Sequence, residues 1–220
     1  KGWGMRRFLV TAFFALGVMS LQAAPKAADA PAAAPTPSKA EVMARGQQIA
    51  GTVCVACHGL DGMSAVSSNP NIAGMPEQYI AKQLELFKTG SRKNPIMQGM
   101  AANLSADDMR ALGVYYFSQV PKSNAMARDA KLADKGQKIF RAGIAELKVP
   151  ACAGCHGGAG AGIPSTYPRL AGQWPEYTLA SLRSYANASR VNSQMNAISS
   201  RLRDADMEAV AEYVAGMRAR

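Results

Sequence analysis

The sequence predicts an all-α chain built as two tandem units, on three observations. A fixed shift of 98 residues lays Cys54, Cys57 and His58 on Cys152, Cys155 and His156. Apolar residues recur at helical spacing in three segments of each half, and no window sustains a period of two with β-branched residues. Gly- and Pro-rich stretches separate these segments, as short helices joined by turns require.

The repeat sets the organisation. The same shift, without a gap, carries Pro70 to Pro168, Gly74 to Gly172, Tyr79 to Tyr177, Arg92 to Arg190, Asn94 to Asn192, Met97 to Met195 and Leu104 to Leu202. Self-similarity at one fixed offset marks a duplication. Upstream of the cysteines the offset becomes 90 (Gly46 to Gly136), so the second unit carries eight additional residues around "RAGIAELKVP". The expected layout is a signal peptide over 1–24, an Ala/Pro-rich linker over 25–37, a first domain over 38–120, an inter-domain linker over 121–129 and a second domain over 130–220.

The elements follow from local chemistry. Ser38 and Glu41 form a capping box that opens a helix running to about Thr52. Pro76 to Thr89 places Tyr79, Ile80, Leu84 and Phe87 at helical spacing, with Gly90 as the stop. Ser105 caps a third helix, Ala106 to Gln119, that ends before Pro121. The second unit repeats the plan near 130–142, 175–188 and 204–216. Units this small have thin cores and gain from a large internal ligand.

Met5-Arg6-Arg7 precedes a 14-residue apolar run, Phe8 to Leu21, and Ala23-Ala24 follows it. That is the layout of a secretory signal, and the run is short of the roughly 20 residues of a spanning helix. An uncleaved N-terminal anchor is the alternative. The expectation is a periplasmic protein, cleaved or tethered to the inner membrane. Formal net charge is +10, but no Lys/Arg run alternates with aromatics, which argues against a nucleic-acid partner.

The four cysteines and both histidines of the chain fall in "CVACH" and "CAGCH". Residues three apart share one helix face, so both thiols of each motif reach the two vinyl groups of one porphyrin, and the next residue offers its imidazole to the iron. A zinc site needs further Cys or His in each unit, and neither has any. Two disulfides leave the adjacent histidines unexplained, and a thioredoxin-like dithiol needs a βαβ setting. The expected cofactors are two covalently bound haem c groups, with Cys54, Cys57, Cys152 and Cys155 as attachment points and His58 and His156 on iron.

The sixth iron position then falls to methionine, tyrosine, lysine or no residue. Two methionine pairs survive the 98-residue shift, Met97 with Met195 and Met109 with Met207. Met109 and Met207 are assigned to the core, each packing on Leu104 or Leu202 as a hydrophobic staple. Met97 and Met195 lie in stretches read as loops, 39 residues after their histidines (His58 to Met97), and are the expected axial ligands. Met100 ranks below them because its counterpart is Ile198. The carbonyls of Pro70 and Pro168 are expected to accept the second imidazole N–H. Arg92 and Arg190 are expected to face the haem propionates.

Over about residues 38–217 the chain resembles the dihaem cytochrome c4 family, on both C-x-x-C-H motifs, the P-x-[IL]-A-G stretches at Pro70 and Pro168, and "MQGMAANLS" from Met97. The resemblance implies two class I cytochrome c domains related by pseudo-twofold symmetry, His/Met ligation of both haems, and a non-enzymatic role in the periplasmic respiratory chain. It implies transient docking between a cytochrome bc1-type donor and a terminal oxidase acceptor. The second methionine stretch, "MNAISSRLR", departs from the family pattern by lacking its Gly and Lys-Leu-Ser. Two alternatives remain at this point: the electron-accepting cytochrome subunit of a periplasmic dehydrogenase oxidising sulfide or an alcohol, and a dihaem peroxidase. The paired methionines argue against the peroxidase, which needs an open sixth position.

Overall fold

The computed structural model describes residues 1–2, 36–122, 124–164 and 167–218. Residues 3–24 of the expected signal (1–24) and 25–35 of the expected linker (25–37) therefore lie outside the described residues. Pro37–Arg220 packs as one compact unit. No helix among the described residues is long and apolar enough to cross a membrane.

The first half opens with α1 (Lys39–Ile49), where Ser38 and Glu41 exchange both capping-box hydrogen bonds. The helix does not stop near Thr52. It passes through a π-helical turn (Ala50–Cys54) into α2 (Val55–His58) and ends at Gly59, at φ 70°. With no insertion ahead of the cysteines, the first motif must follow directly from α1, and the wider π turn absorbs Gly51. There follow α3 (Glu77–Lys88), α4 (Pro95–Ala101) and α5 (Ala106–Ser118), the last opened by a Ser105–Asp108 capping box.

The second half repeats this order with one difference. Helix α6 (Ala130–Ala142) starts at Asp129, whose side chain accepts the Leu132 N–H, and stops at Gly143. The eight additional residues then form a tight excursion: Ile144 bridges Val149 around a 3-10 turn (Ala145–Leu147), and Lys148 turns left-handed at φ 52°. The chain re-enters a helix at α7 (Ala153–His156), followed by α8 (Pro175–Ala186), α9 (Ser193–Ser199) and α10 (Asp204–Gly216).

In each half the first and last helices cross and the middle helix packs on the last. The crossing depends on a glycine. A Cβ on Gly46 would overlap the Ala111 carbonyl of α5, and one on Gly136 the Ala209 carbonyl of α10. Around these crossings are two apolar cores, one built on Met109, Leu112 and Tyr116, the other on Met207, Val210 and Val214. Met109 and Met207 are buried beside Leu104 and Leu202, as core residues.

The 121–129 stretch is fastened to both halves. Lys122 meets Asp61 at 2.6 Å, and Asn124 Nδ2 donates to the Ser64 carbonyl at 2.7 Å. On the other side Arg128 pairs with Glu176 at 2.6 Å and its N–H donates to Glu212 at 2.7 Å. A short polar network adds to this: Asn71 and Gln173 exchange two hydrogen bonds, and Asn71 Nδ2 reaches the Gly172 carbonyl.

Two outcomes test this packing. Gly136→Ala should lower stability by about 1–3 kcal/mol, as overpacking a helix contact does, read by thermal unfolding. Asp206, buried at the start of α10, is held below its ordinary 3.8: burial pushes it up, and Arg203 and Lys135 outweigh that. A lowered carboxylate contributes stability above its unfolded pKa and loses it as pH falls through the folded value. Asp206→Asn should therefore unfold with a flatter acid limb below about pH 3.8, followed by circular dichroism against pH.

Candidate functional site

The two cysteine motifs open onto one cavity of about 1320 Å³. That exceeds the roughly 300–1,000 Å³ of a pocket for one small molecule. Its walls are apolar, with Ile80, Leu84, Phe87 and Leu112 from the first half and Leu182, Leu202 and Val210 from the second. Cys54, Cys57 and His58 line it, as do Cys152, Cys155 and His156. No disulfide joins the cysteines, and among the described residues no three His, Cys, Asp or Glu side chains converge as a metal cage.

Each histidine sits at the last position of a four-residue helix, directly before a glycine of positive φ. That turn lets the chain leave while the imidazole stays buried. His58 Nδ1 lies 3.0 Å from the Pro70 carbonyl, and His156 Nδ1 lies 2.9 Å from that of Pro168. A carbonyl accepts, so Nδ1 carries the proton and Nε2 keeps its lone pair for the cavity. Burial pushes both imidazoles down in pKa, which favours the neutral form. Burial also pushes the Cys54 thiol up and the Cys152 thiol up to about 11. Neither resembles the low-pKa thiolate of a redox dithiol.

The methionines are not on loops. Met97 and Met195 occupy the third position of α4 and α9, each placed by an asparagine cap: Asn94 and Asn192 accept the methionine N–H at 2.9 Å. Both half-buried side chains line the cavity. The sequence signal was present in the repeated Asn-x-x-Met, an N-cap pattern, but a seven-residue helix is too short for hydrophobic periodicity to reveal. Met100 is more exposed, at 47%, and also lines the cavity.

Arg92 and Arg190 do more than the sequence indicated. Arg92 Nη2 donates to the Tyr177 hydroxyl at 3.0 Å, and Arg190 Nη2 donates to the Tyr79 hydroxyl at 2.8 Å. Each arginine thus reaches the tyrosine of the other half, between residues the 98-residue shift pairs. Arg92 stacks over Phe87 at 4.4 Å and Arg190 over Tyr185 at 4.6 Å, again at paired positions. Both guanidiniums also meet on Gln83 Oε1, at 2.7 and 2.9 Å. Burial pushes the Tyr177 phenol up, and the Arg92 and Arg190 guanidiniums overcome this and hold it at about 8. Tyr79, Tyr177 and Gln83 belong to the site and were not singled out for it from the sequence, although the tyrosine pair was visible in the repeat.

These residues fit two haem groups. Lys82, Arg92, Arg169 and Arg190 line the cavity, and no Asp or Glu does so among the described residues. Arg190 is 6% exposed yet finds only neutral hydroxyl and amide partners at its guanidinium. A buried cation without a counter-ion is costly, so the cavity suits an apolar ligand that brings its own carboxylates. The Tyr116 hydroxyl, buried beside the Cys54 sulfur, is left without a well-aligned hydrogen-bond partner.

The family model for cytochrome c matches residues 43–117 and again 133–218. Cytochrome c4 of Azotobacter vinelandii is 35% identical over 97% of this chain and all of its own length. The chain belongs to the cytochrome c4 family. The crystal structure of reduced recombinant cytochrome c4 from Pseudomonas stutzeri superimposes with a TM-score of 0.76 at 35% identity, covering 80% of this chain and 98% of that one. A protein named thiosulfate dehydrogenase electron acceptor, from Thiomonas intermedia (strain K12), is 36% identical over 74% of this chain and 77% of its own length. As a cytochrome c4 the chain is an electron carrier with two covalently bound haem c groups at its paired Cys-x-x-Cys-His motifs. Replacing Cys152 and Cys155 together by serine should halve the haem that stays bound to the polypeptide after acid–solvent extraction.

Proposed function

We propose that the chain moves electrons by outer-sphere transfer through two iron centres, His58 with Met97 and His156 with Met195. The observation that supports this reading is that each C-x-x-C-H histidine shares its cavity with a methionine held at a matched, asparagine-capped helix position. Bound haem supplies a one-electron Fe(III)/Fe(II) couple, and a thioether ligand raises its potential. The residues do the rest. Pro70 and Pro168 fix the imidazole tautomers, and Asn94 and Asn192 hold the methionines in both redox states, so little reorganises on transfer. Apolar walls exclude water. Arg92 and Arg190 supply the positive charge that propionates require.

For partners, we propose passage from a bc1-type donor to a terminal oxidase in the periplasm, by weak and transient docking of the size usual for redox encounters. The signal-like layout of Arg6-Arg7 followed by the apolar run Phe8 to Leu21 supports that compartment. A second reading is favoured by the Thiomonas relative: the chain accepts electrons from a thiosulfate-oxidising dehydrogenase. Mixing the reduced protein with oxidase-containing membranes, and the oxidised protein with such a dehydrogenase and thiosulfate, separates the two by which reaction is fast.

Ligation is tested optically. The ferric protein should show the weak long-wavelength band of an iron–thioether bond. Met97→Ala and Met195→Ala should each remove half of it, and an unchanged band in either variant rejects that ligand.

A further inference from the structure

The repeat would predict that each half completes its own site, yet the two arginines break this rule. Arg92 is held by Gln83 of its own half and by Tyr177 of the other, and Arg190 by Ser181 of its own half and by Tyr79 and Gln83 of the other. Both guanidiniums meet on one amide oxygen, that of Gln83. Two like charges brought that close in a partly desolvated place repel strongly, and no carboxylate among the described residues compensates them. The titratable and charged groups facing the cluster are the two arginines themselves and Tyr79, Tyr177 and Tyr185.

We propose that Arg92 and Arg190 form one shared cationic pair that sets the potential of both haems, each arginine acting on the site of the opposite half as well as its own. The proposal rests on the reading that haem propionates approach these arginines. The physical reason is Coulombic. Adding an electron to either ferric iron, from a protein donor, lowers the charge of that site by one, and a nearby fixed cation favours this state. Where the cation is held between the sites and poorly screened, it favours reduction of both. Tyr79 and Tyr177 are positioning residues: their hydroxyls accept from the guanidiniums and keep each one across the boundary between the halves. Gln83 ties the pair together, and its repeat counterpart is the shorter Ser181, whose hydroxyl meets only one of the two arginines, Arg190, at 3.3 Å. The pair is therefore centred on a first-half side chain.

The test is a redox titration of the full holoprotein in which the two haems are followed separately by their ferric haem-methyl proton resonances. Arg92→Gln and Arg190→Gln should each lower both midpoint potentials. Arg92→Lys, which keeps the charge and loses the planar fork, should lower them less. Lys93→Gln removes an exposed positive charge one residue away and should move neither potential comparably. A shift confined to one haem in both glutamine variants overturns the proposal, and so does an equal effect from Lys93→Gln. If a glutamine variant fails to load haem, Tyr177→Phe deletes one crossing bond and keeps the ring. It should displace both potentials in the Arg92→Gln sense to a smaller extent, and displacement of one alone overturns the idea. A pyridine haemochrome count run first separates the outcomes, because fewer than two haems in the unaltered protein rejects the underlying reading instead.

Discussion

The fold is organised around one apolar cavity that both halves line. Helices of 12 and 13 residues line a space of about 1320 Å³, and apolar side chains such as Leu112 and Val210 belong both to a core and to the cavity wall. Part of that wall is already packed in the two cores, and covering the rest adds to the favourable term in folding, which comes from apolar area removed from water. The covalent cofactor is thus a structural member as well as the redox centre. The histidines at the ends of α2 and α7 are held in addition by the carbonyls of Pro70 and Pro168.

Much of this was legible in the sequence, and for physical reasons. Long amphipathic segments declare themselves by periodicity, so α6 and α10 were located to the residue and α3, α5 and α8 to within one or two. The histidine partners were legible because a repeated Pro twelve residues on offers a carbonyl at a fixed reach. Short elements were not: α4 and α9 have too few residues for a pattern, and their methionines were read as loop residues. The continuity of α1 into the first cysteine motif was also hidden: the helical reading ends near Thr52, and a π turn carries the chain on through Cys54. Contacts between the halves were least legible. Nothing local indicates that Arg92 meets Tyr177 and not a partner within its own unit.

Duplication has been followed by divergence at the connections and at the boundary. The first unit runs helix into haem motif without a break, while the second inserts an excursion braced by the Arg201 side chain on the Lys148 carbonyl at 2.9 Å. Beside the attachment cysteines, Tyr116 in the first core stands where Val214 stands in the second. At the boundary, Asn71 and Gln173 occupy positions whose repeat counterparts are Arg169 and Met75. Two sites of common origin thereby acquire different surroundings while keeping the same Cys-x-x-Cys-His motif and the same His–Pro hydrogen bond.

The stretch from Pro121 to Asp129 has a kinetic meaning. A loose tether would let the two halves separate and rejoin, and internal electron exchange would then wait on diffusion. Here Lys122, Asn124 and Arg128 tie it to both halves, and the buried Asn71–Gln173 pair joins the halves directly, which opposes their separation. On the proposed two-centre reading, exchange between the sites would not wait on movement of the halves and would be indifferent to solvent viscosity.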